Sequence, residues 1–137
     1  MRDIYNKTKV LRGVSPVSGA ASNAAQVSQI IDLAGYDSAL FVILLGAIAD
    51  ADATFAVTMD EGDDSGLSDA SAVAAADLLG SYAAAGFQFD SDDGVRKIGY
   101  RGNKRYVRLT ITPSANTGAW LVAVGVILGH AALEPVS

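Results

Sequence analysis

Tyr106-Val107-Arg108-Leu109-Thr110-Ile111-Thr112 decides the fold. Val107, Leu109 and Ile111 fall on one side of an extended chain, and Tyr106, Arg108, Thr110 and Thr112 on the other. Side chains of a strand alternate between faces, so this is the pattern of a strand with one face in a core and one in water. Upstream, Ile98 and Tyr100 share a face, and Arg101-Gly102-Asn103-Lys104 separates the two runs. A short Gly/Asn turn between β-runs predicts an antiparallel hairpin. Pro113 is expected to end the second strand, because proline has no N–H for a ladder.

Further upstream, Val27-Ser28-Gln29-Ile30-Ile31-Asp32-Leu33 mostly alternates, and Gly35-Tyr36-Asp37 reads as a turn. Phe55, Val57 and Met59 oppose Thr54, Ala56 and Thr58 in the same way, and Phe87-Gln88-Phe89 is a short strand. Residues 38–48 and 120–128 are apolar runs without clean alternation, which predicts strands buried on two faces. Both are shorter than the roughly 18–20 apolar residues of a spanning helix, and glycines interrupt them, so no membrane role is expected. Residues 69–82 are ambiguous: alanines favour helix, but Val73, Leu78 and Leu79 make no helical stripe. A strand or irregular edge is expected there. Residues 1–25, with Lys7, Lys9 and Arg12 among glycines, serines and Pro16, read as an extended N-terminal arm in which Val10 to Val14 could form a short strand. The sum is an all-β chain: an antiparallel β-sandwich or jelly roll of about eight strands over residues 26–137.

The 137 residues suit one domain, and half of them are apolar, which excludes intrinsic disorder. With no cysteine there is no disulfide, thiolate nucleophile or cysteine zinc site, and assembly in a reducing compartment fits. No secretory leader is expected, since polar residues follow Met1-Arg2-Asp3-Ile4-Tyr5.

Enzyme signatures are thin. His130 is the single histidine, so a serine triad would have to use it. Phosphate loops, dinucleotide fingerprints and zinc motifs are missing from the sequence. The acidic turns, Asp60, Glu61, Asp63 and Asp64 or Asp90, Asp92 and Asp93, are carboxylates of the kind calcium binds, but without the spacing of a calcium loop. Aspartate is an ordinary turn residue. No catalytic, cofactor or metal residue is therefore assigned.

Charge is segregated. Residues 50–93 hold eleven acidic side chains and no basic one, whereas residues 96–108 hold six basic side chains and no acidic one. The blocks can steer partners or neutralise each other between copies. Arg96, Lys97, Arg101, Lys104, Arg105 and Arg108, interleaved with Tyr100 and Tyr106, predict a protein contact, joined by Lys7, Lys9 and Arg12 of the arm. The net charge of −5 argues against nucleic acid. Trp120 could serve a carbohydrate-binding sandwich only if its ring were exposed.

Glu61-Gly62-Asp63-Asp64, Asp77-Leu78-Leu79-Gly80-Ser81, the stretch from Lys97 to Arg108, Gly129-His130 and Pro135-Val136 occur in this order. Together they resemble the jelly-roll decoration, or cement, proteins of tailed phages and prophages, over about residues 26–136. The resemblance implies a virion protein on the capsid exterior, assembled in the host cytoplasm. It would bridge neighbouring subunits of the major capsid protein and associate with itself, as a dimer in the first instance. It implies no catalytic residues. A tail or baseplate component and a carbohydrate-binding module are the alternatives.

Overall fold

A computed structural model describes residues 3–136. Strand accounts for 52% of the chain and helix for 7%, arranged as two antiparallel sheets packed face to face in a jelly-roll-like β-sandwich. The all-β expectation is met.

The first sheet has the order β1-β11-β4-β9-β7, where β1 is Lys9–Gly19, β4 Tyr36–Ile48, β7 Leu78–Leu79, β9 Val95–Tyr100 and β11 Trp120–Ala131. The second is built on β10, Tyr106–Ser114, and β5, Thr54–Gly62, paired through nine positions from Tyr106↔Gly62 to Ser114↔Thr54. Four two-residue strands complete it. β2, Gln26–Val27, and β3, Ile31–Asp32, flank β10, while β6, Ser71–Ala72, and β8, Phe87–Gln88, flank β5.

Alternation places the core as the sequence requires. Phe41, Ile43, Ile98, Val124 and Val126 descend from the first sheet onto Val57, Met59, Val107, Leu109 and Ile111 of the second. All of these side chains are essentially removed from water. At one end Trp120 lies against Phe55, with ring centroids 4.7 Å apart, and Phe55 stacks on Phe87 at the same separation.

Four expectations are corrected. The arm does not stand apart: Lys9–Gly19 is extended but pairs with β11 from Lys9↔Leu128 to Gly19↔Trp120 as the edge strand of the first sheet. The ladder shifts register between Arg12 and Val14 and between Val14 and Val17, which accommodates Gly13 and Pro16 and hides the alternation in sequence. Met1 and Arg2 of that arm lie outside the described residues.

Residues 101–104 are no hairpin turn. β9 pairs with β4 and β7, and β10 with β5, so the turn carries the chain from one sheet to the other. The Tyr100 hydroxyl shapes this corner, donating to Glu61 Oε2 at 2.6 Å and accepting the Lys104 N–H at 3.0 Å. Gly102 passes so close to this ring that a Cβ would sit 2.4 Å from the hydroxyl.

Pro113 does not end β10 but pairs with Phe55 inside it. The β2 ladder stops at Ile111↔Gln26, so Pro113 lies where β10 has a neighbour on one side only and its missing N–H costs no ladder bond. The fourth correction concerns β4 and β11, each buried on one face instead of two.

Residues 69–82 are irregular, as expected. β6 is followed by a short 3-10 turn at Ala75–Asp77, β7, and a single helical turn, α1, at Tyr82–Ala85. Ser81 caps that turn by accepting the Ala84 N–H.

Candidate functional site

The outer faces of the two sheets differ in chemistry. On the second sheet the outward pairs are Arg108↔Asp60, Thr110↔Thr58, Thr112↔Ala56 and Ser114↔Thr54. Val27, half exposed beside Thr110, lies on the same face, which is otherwise mainly polar.

On the first sheet the register sets out three rows. Val10, Ile127, Leu40 and Gly99 align across β1, β11, β4 and β9, with Leu79 of β7 beyond. Arg12, Gly125, Val42 and Lys97 form the second row. Ala123, Leu44 and Val95 form the third. Leu121 follows, packed against Gly46 where a side chain would clash with its Cβ at 2.8 Å. Leu44, Leu121, Leu79 and Val95 are about half exposed and Val10 is 71% exposed. Isolated exposed aliphatics are ordinary, whereas a set gathered on one sheet face is a candidate interaction surface.

The face has relief. Toward its Leu40 end, an apolar trough of about 830 Å³ has Leu40, Ile127 and Gly99 on its floor, and Leu79, Lys7 and His130 among its walls. At the opposite end a depression of about 390 Å³ is lined by Val17, Leu44, Leu121 and Ala123. Gly125 lies between them, and a Cβ added there would meet nothing within 4 Å. The wall at the Lys7 end is formed by the two terminal segments. Lys7 is ion-paired with Glu134, and the Val136 N–H donates to the Asn6 carbonyl at 2.9 Å.

The nine predicted contact residues divide sharply. Lys104 Nζ reaches Asp63 Oδ2 at 3.0 Å, and the Arg105 guanidinium takes both oxygens of Asp32 at 2.9 and 3.0 Å while lying 5.1 Å from the Tyr106 ring centre. Arg108 faces Asp60 at 3.6 Å. Arg96 donates to Ser91 Oγ at 3.0 Å and Arg101 to the Ala76 carbonyl at 3.0 Å. Asp32 is held below the usual carboxylate range chiefly by its bond to Arg105, and Lys104 is raised chiefly by its bond to Asp63. With Lys7 bound to Glu134, six of the nine are engaged within the chain. Among the described residues, Lys9, Arg12 and Lys97 make no side-chain hydrogen bond or ion pair. Arg12 and Lys97 occupy the two ends of the middle row of the apolar face. Lys9, opposite Leu128, points to the other side of the sheet.

The acidic and basic blocks therefore meet within one molecule, through Asp60–Arg108 and Asp63–Lys104. Other acidic side chains cap turns. Asp64 accepts the N–H groups of Gly66 and Ser68, Asp69 those of Asp63 and Asp64, and Asp50 those of Thr117 and Asp52. These donors hold all three carboxyls below their ordinary range. A carboxyl depressed in the folded state contributes stability that is present above its unfolded value near 4 and lost as pH falls through the folded one. The urea midpoint is therefore expected to fall from pH 6 to pH 3, and Asp64→Asn to shrink that difference. Among the described residues no three His, Asp or Glu side chains gather to hold a metal.

His130 is exposed, with φ +52°, and its Nδ1 lies 2.9 Å from Ser38 Oγ. No carboxylate orients the ring among the described contacts. Trp120 is fully buried and offers no platform.

The apolar face itself was missed in sequence. Its signal is the failure of residues 38–48 and 120–128 to alternate, which predicts burial on two faces, whereas among the described residues nothing covers the outer one.

No family model matches the sequence, and a search of curated proteins finds no match. Similarity to solved structures is at the level of fold. A chain in the structure of infectious bursal disease virus Gx strain matches over 94% of this chain, with a TM-score of 0.50 and 10% identity. This chain spans a third of that one, 33% of its length. The Clostridium thermocellum endo-1,4-beta-D-xylanase 10B CBM22-1-GH10 modules complexed with xylohexaose match over 97% of this chain and 28% of theirs, with a TM-score of 0.48 and 12% identity. CBM32 of AlyQ in complex with 4,5-unsaturated mannuronic acid matches over 93% and 98%, with a TM-score of 0.39 and 16% identity.

Proposed function

We propose that this protein is a non-enzymatic structural component of a virus particle, a decoration protein that binds the outside of the capsid and clamps neighbouring major capsid subunits. The observation that carries this reading is the one-sided sandwich: one outer face is mainly polar, and the other is a five-strand apolar surface left uncovered by the described residues. A β-sandwich is rigid, and a rigid body spanning a subunit boundary raises the cost of separating the subunits. Repetition on a symmetric lattice adds modest contacts into a large total. The fold is shared with a chain of a virus structure, and the ordered motifs resemble those of phage decoration proteins. Both observations favour a particle component.

The test is sedimentation. Purified protein is mixed with mature capsids assembled without it, from the virus whose genome encodes the chain. Saturable co-sedimentation at a fixed ratio to the capsid subunit is expected. Its absence across a range of salt concentrations overturns the proposal.

A further inference from the structure

We infer that the outer face of the first sheet is the docking surface, and that its occupant is a protein surface with an aliphatic centre flanked by carboxylates. This rests on the decoration reading and names the contact within it.

The size of the face is right. Strands of 11, 12, 13, 6 and 2 residues, at about 3.3 Å per residue and about 4.8 Å between strands, give a footprint of roughly 700 Å². A standard protein interface buries about 800 Å² on each partner. The relief is right as well, since the trough beside Leu40 and Ile127 and the hollow beside Leu44 and Leu121 accept protruding side chains. Anchors seated in pockets carry most of the binding energy of such surfaces.

Charge selects the occupant. Arg12 and Lys97 stand at opposite ends of the row through Gly125 and Val42. No carboxylate lies in the three rows, and Glu134 at the end wall is already taken by Lys7. A second copy packed face to face is disfavoured for that reason. A two-fold axis along the strands sets Arg12 over Lys97, and one across the strands sets each cation over its own equivalent. Both arrangements gather four positive charges around one desolvated patch, and like charges across an interface are costly. An anionic bilayer is disfavoured too, because surface attachment through lipid headgroups uses clusters of about four to eight cations. Here there are two, on a chain of net charge −5. Two carboxylates placed beyond an aliphatic ridge satisfy both cations and fill the centre.

The experiment uses the same capsids with full-length variants, each checked for native circular dichroism. Leu44→Asp, at a half-exposed position, is expected to weaken capsid binding at least about 30-fold, as loss of an interface hot spot does. Arg12→Glu with Lys97→Glu is expected to weaken it at least about tenfold and to flatten its salt dependence. Thr58→Asp, on the polar face of the second sheet, is expected to bind as wild type does. If wild type fails to sediment with capsids, the decoration reading falls. If wild type binds, Leu44→Asp binds equally well and Thr58→Asp does not, the decoration reading stands and this docking surface is overturned. The occupant is overturned if light scattering shows a wild-type dimer that Leu44→Asp makes monomeric, or if wild type floats with phosphatidylserine vesicles and Leu44→Asp does not.

Discussion

Trp120→Ala is expected to lower the free energy of unfolding by about 3–5 kcal/mol, the range for deleting a large buried aromatic. The indole is fully buried where β11 begins, against Phe55 at 4.7 Å and Phe87 at 6.2 Å. Its removal takes one wall from an aromatic cluster that closes one end of the sandwich. The site is tight on its other side, because a Cβ on Gly19 would come within 2.3 Å of the indole. Gly19→Ala is therefore expected to destabilise wild type by about 1–3 kcal/mol through overpacking, and to cost much less in the Trp120→Ala background. Such non-additivity is the signature of direct contact. Trp120→Phe is milder than either, since Nε1 is buried with no hydrogen-bond partner and the substitution deletes that unmet donor along with some volume. Urea titrations followed by circular dichroism measure all four. The midpoints should move while the denaturant slope stays fixed; equal stability of Trp120→Ala and wild type contradicts the packing described here.

How much of this was legible before the structure follows from what each residue answers to. Val57, Met59, Val107, Leu109 and Ile111 alternate because one sheet face is wet and the other dry, and that pattern belongs to the strand itself. The sandwich class follows from such runs. Trp120 heads the apolar run 120–128, a place that points to core packing, and it is fully buried. What was not legible depends on partners distant in sequence. Arg105 takes Asp32 across 73 positions and Lys104 takes Asp63 across 41, so a block of basic residues that looked available is largely spent inside the molecule. The sheet change at residues 101–104 depends on Tyr100 meeting Glu61, 39 positions away, and a Gly/Asn turn by itself does not reveal which sheet receives the next strand. Arg12 and Lys97 were among the predicted contact residues. Their common face emerges only when β1 is placed beside β11 and β9 beside β4.

Tyr100→Phe isolates that corner. Tyr100 is 2% exposed, and its hydroxyl serves two groups, the Glu61 carboxylate of β5 and the Lys104 N–H of the connection between the sheets. Deleting the hydroxyl changes the core volume little but leaves both groups without this partner, and hydrogen bonds to charged groups contribute about 1.5–3 kcal/mol. A loss of that size is expected at pH 7, larger than that of an exposed pair such as Arg105–Asp32, where under about 1 kcal/mol is at stake. The alkaline limb separates the hydroxyl from simple packing. Burial, and then the bond to Glu61, raise the Tyr100 phenol above its ordinary value near 10. A group raised in the folded state contributes stability that is complete below the unfolded value and is lost as pH climbs through the folded one. Wild type should therefore lose stability above about pH 10, where unfolded tyrosine ionises. Tyr82, also raised chiefly by burial, adds a share of the same sign. Tyr100→Phe should lose less across that range, so the gap between the two proteins narrows from pH 9 to pH 11. If Tyr100→Phe matches wild type at pH 7 and the two decline in parallel, the hydroxyl does not hold the corner, and the shape of Gly102 beneath the ring carries the turn by itself.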